Sequence, residues 1–188
     1  MQSSVKKIVL IGPESTGKSW LCEHLAQHYK TLWCPEFART YLTKNGMNYT
    51  YNNLLTIAKE QLKLEEKSKK TINYQLSIIN STQSPLLFID TDMYVMKVWC
   101  EFVFNKCHSF ILDSIAERTY DLYLLCNTDL DWQKDSLREY PDVHTRQKLY
   151  YIYKDLLINQ SVPWVEIFGK GNNRLKNAIN AINSYLKK

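Results

Sequence analysis

This 188-residue chain predicts a three-layer α/β fold, a five-stranded parallel sheet flanked by helices. Three observations carry that prediction. Apolar runs of strand length alternate with helix-period stretches along the chain, the pattern of a parallel sheet covered on both faces. The first run, Ile8-Val9-Leu10-Ile11, leads directly into Gly12-Pro13-Glu14-Ser15-Thr16-Gly17-Lys18-Ser19, and a helical pattern follows. Carboxylates stand where later runs end, at Glu36 and Asp90, and in this architecture ligands gather at the carboxyl ends of strands.

The elements follow in order. Strand one is read over Val5–Ile11, and the helix after the glycine-containing loop runs to about Tyr29. Leu32-Trp33-Cys34, ending at Pro35, is strand two; Glu36–Lys44 is helical up to the Asn45-Gly46 turn signal. Asn52 to about Asn80 shows helical period through Leu54, Ile57, Ala58, Leu62, Ile72, Leu76 and Ile79, with a break allowed near Ser68 and an end at Ser84-Pro85. Leu86–Asp90 is a buried strand, followed by a helix with Met93, Met96, Val98, Trp99, Phe102 and Val103 apolar. Tyr120–Cys126 is strand four, and a polar segment from Asn127 to Asp142 lacks a strong period. Val143–Asn159 is helical, Pro163–Phe168 is strand five, and a closing helix begins at Arg174 after a loop from Gly169 to Asn173. The whole chain, 1–188, reads as one domain with a lid at about 127–145.

Composition sets the bounds. Hydrophobic content of 45% and charged content of 23% are those of a globular protein. No apolar run approaches the ~20 residues of a membrane helix, and the N-terminus enters the first strand without room for a signal peptide. Five cysteines, with no Cys-x-x-Cys pair, argue for a reducing cytoplasm and against a disulfide framework or zinc site. The net charge of +5 is spread along the chain, which favours a polyphosphate ligand over nucleic acid. The densest basic run, Lys63–Lys70, contains Glu65 and Glu66 and reads as a solvated helix face. Self-association is left open.

The chemistry centres on residues 12–19, which match G-x-x-x-x-G-K-[ST] in its strand–loop–helix setting. Backbone N–H groups of such a loop wrap a phosphate chain, and the helix start adds positive dipole. Gly12 and Gly17 remove Cβ atoms where the backbone must turn and approach the ligand. Glu14, Ser15, Thr16 and the adjoining Trp20 complete the expected nucleotide site. Lys18 supplies charge for the terminal phosphates, and Ser19 a hydroxyl ligand for Mg²⁺. Asp90 sits where a second Mg²⁺-organising carboxylate belongs, and Asp92 is either an acceptor contact or the cap of the next helix.

Glu36 can take a proton from a substrate hydroxyl or grip a ribose diol, with Arg39 one turn later to orient it; the alternative is a first-turn Glu favouring the helix dipole. In the lid, Asp131 to Arg138, Arg138 with Lys134 and Arg146 can close over transferring charge. His24 and His28 lie i, i+4 but lack a third ligand, so metal binding is not expected there. Trp99 reads first as core and second as a stacking surface for a substrate base.

The phosphate loop, Pro35-Glu36-Phe37-Ala38-Arg39, Asp90-Thr91-Asp92 with Trp99, the Asp131–Arg138 lid, and Gly169 with Arg174 together resemble the ribosylnicotinamide kinase domain of the bacterial NadR-like family. The resemblance spans essentially the whole chain. It implies a P-loop NTPase/kinase fold, ATP and Mg²⁺ as cofactors, and a small-molecule nucleoside as partner. It also implies transfer of the ATP γ-phosphate to the 5′-hydroxyl of nicotinamide riboside, giving nicotinamide mononucleotide in NAD biosynthesis. On that footing Lys18, Glu36, Asp90, Asp92 and Arg138 are the expected catalytic residues. Glu36, Arg39, Asp92 and Trp99 form the acceptor site, Ser19 and Asp90 hold the metal, and Arg174 joins the nucleotide site. The alternatives are a kinase of another nucleoside or nucleotide, or an ATPase switch. Adenylyltransferase and DNA-binding domains, which family members carry before the kinase, are not expected in this stretch.

Overall fold

A computed structural model describes residues 4–79 and 85–187, with the side chains of 76–79 excepted. The expectations for Leu76, Ile79, Asn80 and Ser84 therefore lie outside what is described. The described strands are β1 (Lys6–Ile11), β2 (Leu32–Cys34), β3 (Leu86–Asp90), β4 (Leu122–Cys126) and β5 (Trp164–Ile167). They form one parallel sheet in the order β2-β3-β1-β4-β5. β1 lies at the centre, with β3 and β4 on its two sides, so the chain reverses its winding there. The crevice above β1 is where such a sheet binds ligands.

The helices are α1 (Lys18–His28), α2 (Phe37–Asn45), α3 (Tyr51–Ile79), α4 (Met93–Phe104), α5 (Ser109–Glu117), α6 (Val143–Ile158) and α7 (Gly171–Leu186). The pleat of the central strands splits their side chains between two cores. Ile8, Leu10, Phe88 and Leu124 pack on α1 and α7 through Leu21, Leu25, Ala178 and Ile182. Val9, Ile11, Leu87, Ile89 and Tyr123 pack on the other layer, against Ile72, Val98, Leu149 and Tyr153. A third cluster joins α2, α3, α4 and α5 through Ala38, Leu54, Ile57, Met96 and Ile111.

Three expectations about elements change. α3 runs unbroken for 29 residues, roughly 40 Å, because Ser68 turns its hydroxyl onto the Leu64 carbonyl at 3.0 Å without interrupting the helix. α5 was not foreseen: α4 stops at Asn105, which adopts a left-handed φ of 53°, and a short helix burying Ile111 and Ser114 follows. α7 begins at Gly171, three residues before Arg174. Among the described residues no helix is long and apolar enough to cross a membrane, and all five cysteines are free.

Candidate active site

The loop between β1 and α1 closes on itself. Thr16 Oγ1 donates to the Pro13 carbonyl at 2.7 Å, and Lys18 Nζ folds back over the loop to the carbonyls of Gly12 (2.9 Å) and Pro13 (2.8 Å). Gly12 stands against β4, where a Cβ would meet the Cys126 carbonyl oxygen at 2.7 Å. Gly17 caps α1 in the left-handed region, φ 74°. Trp20 stands at the cleft rim, 36% exposed and stacked on His24 at 4.0 Å. The His24 ring nitrogen is turned to the Trp20 carbonyl, and among the described residues no three His, Cys, Asp or Glu side chains group around a metal position.

Ser19 and Asp90 meet as expected: the hydroxyl donates to Oδ2 at 2.5 Å. The other Asp90 oxygen, Oδ1, is buried and has no hydrogen-bond partner. Burial and the nearby Glu36 carboxylate push the Asp90 acid up to about 6, against the pull of Lys18 and Ser19. A hydroxyl and a carboxylate with a spare oxygen fit a Mg²⁺ ion, which keeps most of its waters and takes few protein ligands.

Of the two roles open to Asp92, acceptor contact and helix cap, it takes the cap. Its Oδ1 accepts from the Tyr94 and Val95 amides at 3.0 and 3.3 Å, capping α4, and its Oδ2 accepts from the Tyr123 hydroxyl at 2.9 Å. It is 1% exposed and does not line the cleft, and burial pushes its acid up to about 7. The reason is the residue between the two aspartates. In a regular strand, residues two apart share a face. Leu86, Phe88 and Asp90 do share the α1 face, but Thr91 has φ 78°, which turns the backbone over and sends Asp92 to the opposite layer. A β-branched residue at that φ is an outlier that the surrounding structure must hold in place.

Glu36 lines the cleft beside the phosphate loop and accepts from Thr91 Oγ1 at 3.4 Å. It begins α2 without using its own side chain as a cap. Gln61, buried on α3, does the capping instead: its Oε1 accepts from the Phe37 amide at 2.7 Å and its Nε2 donates to the Pro35 carbonyl at 3.3 Å. Gln61 was missed, although it lies on the stripe of Leu54, Ile57 and Ala58, and a Gln on an apolar stripe signals a backbone clamp. Glu65, one turn on, is likewise 1% exposed and held by Tyr120 and Lys7, so the Lys63–Lys70 run is not wholly a solvated face.

Residues 127–142, where a lid is expected to run to about 145, form an irregular segment that ends at the Asp142 cap of α6. It rests on the phosphate loop. The Gln133 amide donates to Ser15 Oγ at 3.1 Å, and the Glu139 and Tyr140 amides both donate to the Glu14 carboxylate. Burial raises the Glu14 acid. Arg39 reaches across the cleft to Asp135 Oδ2 at 2.7 Å. Arg138 lines the cleft, but its guanidinium is turned back onto the Gln133 carbonyl and the Trp132 ring rather than onto the phosphate loop. Arg146 is buried, holds the Thr128 and Leu130 carbonyls, and does not line the cleft.

Arg174 is 1% exposed and also lies outside the cleft lining. It donates to Asp129 Oδ1, the Gly169 carbonyl, the Asn127 carbonyl and, at 3.0 Å, the Thr16 carbonyl. It ties the phosphate loop to the loops after β4 and β5 rather than offering a surface to a nucleotide.

The cleft holds a cavity of about 250 Å³. Beyond the phosphate loop and Glu36, the charged groups on its lining are Arg39, Arg138 and Glu139, and one wall is apolar, made by Leu42, Val95, Val98, Trp99, Phe102 and Tyr153. Trp99 is half-buried: one side packs on the third core cluster, and the residue still borders the cavity. Loop, carboxylates and lid define a phosphate-loop α/β domain of the kinase fold.

The chain belongs to the AAA domain family, whose model matches residues 7–174. It is similar to the trifunctional NAD biosynthesis/regulator protein NadR of Salmonella typhimurium strain LT2, 25% identical over 169 residues. It is also similar to NadR of Escherichia coli K12, 23% identical over 163 residues. In each case 87% of this chain is covered, and the chain spans 38% of the relative's length. Among solved structures, a NadR protein in complex with NR superposes with a TM-score of 0.74 at 18% identity, covering 98% of this chain and 51% of that one. The thymidylate kinase of Ehrlichia chaffeensis superposes with a TM-score of 0.65 at 14% identity, covering 95% and 99%.

Proposed function

We propose that this domain is an ATP-dependent nucleoside kinase that phosphorylates nicotinamide riboside to nicotinamide mononucleotide. The observation that carries this reading is the continuity of the cleft. The phosphate loop and Glu36 open without a break onto an apolar, aromatic wall of the size and character of a nucleoside base site. An ATPase switch needs no such wall. The likeness to NadR and the complex of a NadR protein with NR support the choice of acceptor.

In this reading Lys18 swings from the Gly12 and Pro13 carbonyls to the terminal phosphates of ATP. Ser19 and Asp90 hold Mg²⁺, which when bound neutralises charge on the phosphates. Glu36 orients the 5′-hydroxyl, and positioning counts for more than basicity where the transition state is loose. Arg39 lies beside Glu36, and Arg138 must leave Gln133 to reach transferring charge. Trp99 faces the cationic pyridine ring, an attraction of about 0.5–2 kcal/mol. The free cysteines suit a reducing compartment such as the cytoplasm.

The test is a phosphate-acceptor screen with Mg-ATP, comparing nicotinamide riboside, ordinary nucleosides, nucleoside monophosphates and no acceptor. Preferred turnover of nicotinamide riboside is the expected result. Preference for another acceptor would reassign the substrate within the kinase class. Full-rate hydrolysis without acceptor would point to the switch.

A further inference from the structure

Tyr49 lies in the short link between α2 and α3, outside every motif discussed above. Its ring stands edge-on to Trp99 at 5.0 Å and packs near Phe104 at 6.2 Å. Its hydroxyl accepts the Trp99 indole N–H at 2.9 Å and donates to Glu139 Oε2 at 2.7 Å. Burial raises the phenol well above its ordinary range, so it keeps the proton it donates. Glu139 in turn gives its amide to the Glu14 carboxylate at 3.1 Å. A continuous series of hydrogen bonds thus runs from the wall of the cleft, through Tyr49, to the lid and on to the phosphate loop. A second contact runs parallel to it, the edge of Tyr140 in the lid against Phe102 in the wall at 5.3 Å.

We propose that Tyr49 is a positioning residue that couples the acceptor wall at Trp99 to closure of the lid over the nucleotide. A base seated against Trp99 fixes the indole, the indole fixes the Tyr49 hydroxyl, and the hydroxyl holds Glu139 with its amide aimed at Glu14. The phosphate loop otherwise carries a carboxylate that would repel phosphates. With the lid closed, that carboxylate is occupied by two lid amides. Acceptor and nucleotide therefore bind with positive cooperativity, each tightening the other by the same factor. The inference rests on the acceptor reading above for the base and for its place against Trp99.

Tyr49→Phe keeps the ring contacts and removes the hydroxyl. Two measurements decide the matter, on variants whose melting temperature matches the wild type within a few degrees. The first is the affinity for AMP-PNP with and without nicotinamide riboside. The wild type should show a tightening of about fivefold or more, and Tyr49→Phe should show less than about twofold. An equal factor in both proteins, or no tightening in a wild type that binds the riboside, would overturn the coupling. The second measurement needs no acceptor: hydrogen exchange of the amides of 133–140 with AMP-PNP bound. Loss of the hydroxyl should speed exchange there by about tenfold. Unchanged exchange would overturn the inference whatever the acceptor is. If nicotinamide riboside binds neither protein, the substrate assignment falls and the exchange comparison alone decides for or against Tyr49. As a control, Glu139→Gln retains an acceptor for the hydroxyl and should preserve most of the coupling.

Discussion

The Ser19 hydroxyl and Asp90 Oδ2 lie 2.5 Å apart although 71 positions separate the two residues. The parallel pairing of β1 with β3, in which Leu10 stands opposite Asp90, brings them together. The two side chains therefore act as a unit, and the second Asp90 oxygen is free for a cation.

Asp90→Asn should keep the fold and the Ser19 contact while weakening the metal site. We expect turnover to fall by about a hundredfold or more, with a much smaller change in nucleotide affinity. Steady-state kinetics across a Mg²⁺ titration would check this. An unchanged rate, or activity that persists in excess chelator, would refute the metal assignment.

Arg174→Met should cost stability first. The guanidinium makes four hydrogen bonds to three loops from a position 1% exposed. Its removal strands the Thr16 and Asn127 carbonyls, a loss on the order of 3 kcal/mol. For a domain of this size the melting temperature should drop by roughly 6–12 °C. A stable variant whose only defect is a raised KM for ATP would instead make Arg174 a direct nucleotide contact.

Asp92→Ala removes the cap of α4 and the partner of Tyr123. A destabilisation of about 1–3 kcal/mol is expected in chemical denaturation, with the KM of the acceptor within about twofold of wild type. Asp92→Asn, which can still cap the helix, should lose less. A large rise in acceptor KM with unchanged stability would place Asp92 back in the pocket.

The sheet, its strand ends and the phosphate loop were legible because each rests on a local signal: period, a glycine spacing, a carboxylate after an apolar run. Ser19 lies in the first turn of α1, Asp90 at the end of β3 and Glu36 just past β2, all beside the phosphate loop. What was not legible depends on three-dimensional detail that spacing does not encode. For Asp92, two residues past Asp90 at a strand end, the sequence leaves acceptor contact and helix cap open, and the φ of Thr91, which decides for the cap, has no signal in it. Arg174 and Arg146 were read as cations near phosphates, yet both spend their guanidinium donors on loop carbonyls. Gln61 and Tyr49 act through backbone and lid contacts made across 24 and 90 positions, for which one sequence offers at most a polar residue on an apolar stripe. α5, as short as α2, follows α4 across Asn105–His108, where no Gly or Pro marks the break; the left-handed Asn105 ends α4 instead.

The left-handed turn at Thr91 has a mechanical meaning as well. Asp90, Thr91, Asp92 and Met93 are each 1% exposed, and they carry the chain from the carboxylate beside the phosphate loop straight into the first turn of α4. No residue of that stretch is exposed and none is a glycine. α4 also bears Trp99 and Phe102, the aromatic wall of the cleft. The strand end and the aromatic wall are thus joined through one buried run, so the placement of the Asp90 carboxylate and that of the wall are set together.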